Sequence, residues 1–68
     1  MKLNDAMVET ARMAQNHGRC CYLYKFRNGT LNITHQVWND WIFKAYPGGR
    51  KQLSVIGSKL LEEESDDT

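Results

Sequence analysis

Asn28-Gly29, Asn39-Asp40 and Gly48-Gly49 lie about ten residues apart, and together they constrain the fold more than any other feature of the chain. Each can reverse the backbone within two residues, and reversals at this spacing leave room only for short strands running antiparallel to their neighbours. Asn28-Gly29 is the strongest of the three, because a type I′ turn needs positive φ at both central positions and Asn and Gly reach it most readily. Counting outward from that turn pairs Phe26 with Leu31, Tyr24 with Ile33 and Tyr22 with His35, which gives one mostly apolar face. The other face then carries Leu23, Lys25 and Arg27 with Thr30, Asn32 and Thr34. A second turn at Asn39-Asp40 would set Trp38 opposite Trp41, Val37 opposite Ile42 and His35 opposite Lys44. A third at Gly48-Gly49 would add a fourth strand from Lys51 to Ile56. Residues 37–45 also fit a helix, since Val37, Trp38, Trp41, Ile42 and Ala45 recur at helical spacing behind Thr34 as a cap. The succession of mediocre helix formers favours the strands.

The two ends of the chain follow a different period. Asn4 is a suitable N-cap, Asp5 and Glu9 suit the positive end of a helix dipole, and Gly18 can close the helix in the left-handed conformation. Leu3 and Val8 match a hydrophobic staple, and Leu3, Met7, Ala11 and Ala14 form a stripe able to cover the sheet face of Tyr24 and Ile33. A single helix from Lys51 to Glu64 would put its bases at the positive end of the dipole and its acids at the negative end. A short helix capped by Ser58, with Leu60 and Leu61 docking on the sheet, avoids this. The predicted fold is α+β: an N-terminal helix packed on an antiparallel β-meander of three to four strands, ending in a short C-terminal helix or an acidic disordered tail. Residues 1–61 form one small domain and residues 62–68 the tail.

Apolar residues make up 41% of the 68 positions, enough for one small core. The start MKLNDAMVETARM has no unbroken apolar run of the kind a secretory leader needs, and no stretch approaches the ~18 apolar residues of a membrane span. The adjacent Cys20 and Cys21 cannot make a disulfide framework, which suits a reducing compartment. A cytoplasmic location is expected. The net charge of +1 conceals a segregation: Arg12, Arg19, Lys25, Arg27, Lys44, Arg50, Lys51 and Lys59 face only Asp40 between Thr10 and Leu61, and the acids gather after Leu61. A basic body of this kind suits a polyanionic partner.

Catalytic motifs are missing from the sequence. His17, Cys20, Cys21 and His35 have the right chemistry for zinc, but there is no Cys-x2-Cys pair, and neighbouring cysteines on a strand point to opposite faces. A nucleophilic cysteine would need a histidine and an orienting acid, and Asp40 sits at a turn. The run from Pro47 to Lys51 lacks the spacing of a phosphate-binding P-loop. Neither enzyme activity, a cofactor, a resident metal nor a small-molecule substrate is expected.

What remains is a surface. Trp38, Trp41 and Phe43 with Lys25 and Arg27 would form an aromatic, basic sheet face suited to a protein partner. The same face could stack on bases, with Arg50 and Lys51 as further phosphate contacts, so nucleic acid is the alternative partner. A homodimer stays open, and no membrane partner is expected. The order helix, three strands, second helix resembles the double-stranded RNA-binding domain in length and topology. The Gly-rich loop followed by Lys-Lys at the last helix of that family has no counterpart in PGGRKQLSVIGSK, so the resemblance stops at architecture. Small size without catalytic residues also suits a regulatory accessory protein of the kind phages and mobile elements carry.

Overall fold

The computed structural model describes residues 2–65. Its elements are α1 (Leu3–His17), β1 (Cys21–Lys25), β2 (Leu31–Thr34), β3 (Phe43–Ala45), β4 (Lys51–Leu53) and α2 (Val55–Ser65). The α+β architecture is the expected one, with a helix at each end of an antiparallel four-stranded sheet. The strand order, however, is β2-β1-β3-β4. β1 is therefore central, and β3 pairs with β1 rather than with β2, as Leu23 opposite Phe43 and Cys21 opposite Ala45. The expected hairpin at Asn39-Asp40 does not form, and neither does the alternative helix over 37–45. Residues 35–42 are instead an irregular crossover from β2 to β3.

Both hairpins keep the expected tips but use a different turn. Phe26 donates its N–H to the Thr30 carbonyl at 2.9 Å while Gly29 donates to the Phe26 carbonyl at 2.9 Å. Tyr46, Arg50 and Gly49 repeat this pattern, with Tyr46 N–H on Arg50 at 2.8 Å and Gly49 N–H on Tyr46 at 3.1 Å. Only Gly29 (φ 87°) and Gly49 (φ 98°) need the left-handed region in these loops, and among the described residues none other than glycine has positive φ. A type I′ turn at Asn28-Gly29 is thereby excluded. These are three-residue loops in which the glycine follows an ordinary turn. The Asn28 side chain caps the first by accepting the Thr30 N–H at 2.9 Å.

The extra loop residue shifts the first hairpin by one position, to Leu23 opposite Ile33 and Tyr24 opposite Asn32. Because side chains alternate, this turns β1 over relative to β2, so that Leu23 rather than Tyr24 shares a face with Leu31 and Ile33. Cys21, Leu23, Phe43 and Ala45 now face the helices and form the core with Leu3, Ala6 and Ala14. Tyr22 and Tyr24 point the other way. Ile42 donates its N–H to the Leu23 carbonyl at 2.8 Å while its own carbonyl accepts from Ser54 at 3.0 Å. Its two polar groups thus address β1 and the residue that follows β4, and Ile42 joins Phe43 in the core.

α1 begins two residues earlier than expected, with Lys2 extended before it and no side-chain cap, so Asn4 lies inside the helix. Leu3 is buried but Val8 is 63% exposed, and the predicted staple is not made. Thr10 takes a core position instead by donating its hydroxyl to the Ala6 carbonyl at 2.7 Å, which satisfies the buried oxygen within the helix. Gly18 closes α1 in the left-handed conformation, as expected. The cap of α2 is Ser54 rather than Ser58: its hydroxyl accepts the Gly57 N–H at 3.0 Å. This start leaves Arg50 and Lys51 outside the helix and so away from the positive end of its dipole. Leu60 and Leu61 pack on the helix side of the core. Residues 62–65 are the last turn of α2 rather than a disordered tail, and the rest of the predicted tail lies outside the described residues.

Candidate binding surface

The crossover decides what the outer face of the sheet looks like. β2 ends on one side of β1 and β3 begins on the other, so residues 35–42 must pass over the Tyr22 and Tyr24 side chains. The strap turns off β2 where Thr34 Oγ1 accepts the Gln36 N–H at 3.2 Å. It is then pinned by Tyr24, which is 1% exposed. The Tyr24 hydroxyl donates to the Gln36 carbonyl at 2.8 Å and accepts the Trp38 N–H at 2.6 Å. Two backbone groups of the strap thus share one phenol. The Trp38 ring rests on the Tyr24 ring, with centroids 4.6 Å apart and planes tilted by 51°. Trp41 approaches Tyr22 edge-on at 6.2 Å. Trp38 is still 43% exposed, beside Val37 at 63%. Fixed geometry and open surface coincide at this ring.

From Trp41 the aromatic surface continues across the sheet as an alternation with cations. Lys44 Nζ lies 5.3 Å from the Tyr22 ring centroid and 4.6 Å from that of Tyr46, and the Arg50 guanidinium lies 4.6 Å from Tyr46 on the same ladder. Pairing of β3 with β1 places Lys44 opposite Tyr22, and the β3–β4 register places Tyr46 opposite Arg50. Donation from the Lys44 ammonium to Tyr46 outweighs its partial desolvation and, with a further contribution from Tyr22, raises the Lys44 pKa above the ordinary lysine value. The ammonium stays charged through neutral pH.

The predicted site residues fall in three places. Trp38 and Trp41 are on the outer face. Phe43 is 3% exposed and faces the helices, so it belongs to the core and leaves the proposed surface. Phe43 shares a face with Leu23, as expected, but that is the face the helices cover. Lys25 and Arg27 sit at the end of the first hairpin, where they share a cleft of ≈ 320 Å³ with Phe26, Asp40, Ile56 and Leu60. Arg50 and Lys51 line a second cleft of ≈ 360 Å³ against α1, together with Arg12, Gln15 and Tyr46. Among the described residues, no carboxylate lines that cleft; Glu9 pairs with Arg12 at 3.7 Å on the exposed side of the helix. Lys44, Tyr46 and Arg12 were not singled out from the sequence. The alternation of Lys44 with Tyr46 was visible there, but its partners depended on pairing with β1.

The histidines and cysteines also meet, in a different register from that expected. His35 packs beside Cys21, with Nδ1 3.5 Å from Sγ, and the same Nδ1 lies 3.0 Å from the Cys20 carbonyl oxygen. Burial, then the neighbouring Cys20, raise the Cys21 thiol above its ordinary pKa, against a smaller opposing effect of Arg19. Cys21 is thereby held as a neutral, inert thiol at neutral pH. Among the described residues, no three His, Cys, Asp or Glu side chains are grouped to hold a metal ion, and no helix is long and apolar enough to cross a membrane. No protein-family model, no curated protein and no solved structure matches the chain.

Proposed function

We propose that this is a non-catalytic binding and regulatory module that engages a protein partner through the outer face of its sheet, with Trp38 as the anchor. The observation that supports this most is the state of Trp38: its backbone and its ring are both fixed on Tyr24, yet nearly half of the side chain is exposed. A rigid, amphipathic ring loses little conformational entropy on binding, and half-buried tryptophans of this kind dominate protein interfaces. Val37 widens the apolar centre, and Trp41, Tyr22 and the Lys44–Tyr46–Arg50 ladder supply a polar, positively charged rim. That rim favours an acidic partner surface.

The second reading is nucleic acid. The cleft of Arg12, Arg50 and Lys51 beside Tyr46 favours it, because cations next to a stacking ring suit a phosphate and its base. One experiment separates the two: capture from lysate by immobilised protein, with and without nuclease, for the wild type and Trp38→Ala. A protein partner survives nuclease and is lost with Trp38→Ala, with affinity falling at least ~30-fold for a loss of ~2 kcal/mol. Nuclease-sensitive capture whose affinity drops steeply with salt selects nucleic acid instead. Capture unaffected by the substitution contradicts the role of Trp38.

A further inference from the structure

We propose that His17 and His35 form a two-imidazole binding site for a divalent transition-metal ion such as zinc, with water completing the coordination. His17 is the last residue of α1 and His35 the first of the strap, so the site joins the helix layer to the start of the crossover. His17 Nδ1 and His35 Nε2 are 3.1 Å apart, and the ring centroids are 5.2 Å apart. Metal–nitrogen bonds of about 2.0–2.1 Å to both atoms would then enclose an angle of about 100°, between the octahedral and tetrahedral values. Side-chain rotation and a shift of the His17 proton from Nδ1 to Nε2 aim both lone pairs at a point beside the line between them, and His17 is exposed enough to do both.

The proton position on His35 favours its Nε2 as a ligand. The Cys20 carbonyl can only accept, so the 3.0 Å contact requires His35 Nδ1 to carry the hydrogen. Nε2 is left with its lone pair and accepts from His17 Nδ1–H at 3.1 Å, so a metal takes the place of that proton once exposed His17 shifts to its Nε2–H tautomer. Donation of the remaining ring N–H to a backbone carbonyl is the usual support of a ligating histidine, because it fixes the tautomer and makes the other nitrogen a better donor. The negative end of the α1 dipole, at His17, also favours a cation. Cys21 Sγ lies against the opposite ring nitrogen, so the thiol supports the ring and does not reach the metal. The site has two protein ligands and open positions, in contrast to a closed structural zinc site.

The test is a zinc titration of the full chain followed by the imidazole nitrogen resonances, with His17→Ala as the variant. That residue lies exposed at the end of its helix, so the variant should fold, which its thermal unfolding without metal verifies. Saturable one-to-one shifts at His17 Nδ1 and His35 Nε2 are expected. His17→Ala should weaken binding at least tenfold, since losing one of two ligands costs no less than the ~10–100-fold that follows loss of an outer-shell partner. No saturable shift up to millimolar zinc, or equal binding by His17→Ala, overturns the proposal.

Discussion

Tyr24 is the residue on which the outer face depends. Its ring supports Trp38 and its hydroxyl serves two strap groups from a position with almost no access to water. Tyr24→Phe keeps the ring and removes only the oxygen, leaving the Gln36 carbonyl and Trp38 N–H to find other partners. The expected cost is about 1–3 kcal/mol of stability, with faster hydrogen exchange at the Trp38 amide. Denaturant unfolding combined with amide exchange measures both. An unchanged Trp38 exchange rate would show that the strap is held by something other than the phenol. Trp38 itself was legible as a surface candidate, because two large rings in a polar setting are uncommon. Its support was not, since the link from Tyr24 to Trp38 crosses a segment whose path the sequence left open between a helix and a hairpin.

Among the elements, α2 shows best how local rules and packing combine. Its Ser54 cap and its Leu60 and Leu61 follow local sequence logic, but Gly57 is explained only by its neighbour. A β-carbon at Gly57 would be driven into the Ile42 carbonyl oxygen, with the Leu53 side chain 3.1 Å away. The obstructing atom is backbone, where the strap joins β3, and cannot swing aside. Gly57→Ala should therefore lower stability: the gain in helix propensity is about 1 kcal/mol, against roughly 1–3 kcal/mol of overpacking. A urea titration that found Gly57→Ala more stable than the wild type would contradict this close approach. The hairpins give the complementary lesson. Asn28-Gly29 and Gly48-Gly49 announced their tips, but the same residues serve two-residue and three-residue loops, and the difference of one residue turns one strand over relative to its partner. That is why Tyr24, expected beside Ile33 under α1, lies under the strap, while Leu23 takes its place beside Ile33 and carries its partner Phe43 into the core.

At the scale of the whole molecule, the chain is built in three layers: two helices, a sheet, and a strap that crosses the sheet's free face. The helix-side layer was largely legible, because Met7, Ala11 and Ala14 keep helical spacing and the strand segments are rich in aromatic and branched residues. The strap was not, because choosing β1 rather than β2 as the partner of a three-residue strand is a tertiary decision: it sets Phe43 against Leu23 at the centre of the core. The proposed function rests on this arrangement, since only the crossover fixes Trp38 on Tyr24 and lines up Tyr22, Lys44, Tyr46 and Arg50. A nuclear Overhauser spectrum of the free protein tests it most directly. Cross-strand contacts of Leu23 with Phe43 and Cys21 with Ala45, together with ring contacts between Tyr24 and Trp38, are the predicted result. Contacts of His35 with Lys44 and of Val37 with Ile42, as in a hairpin closed at Asn39-Asp40, would contradict it.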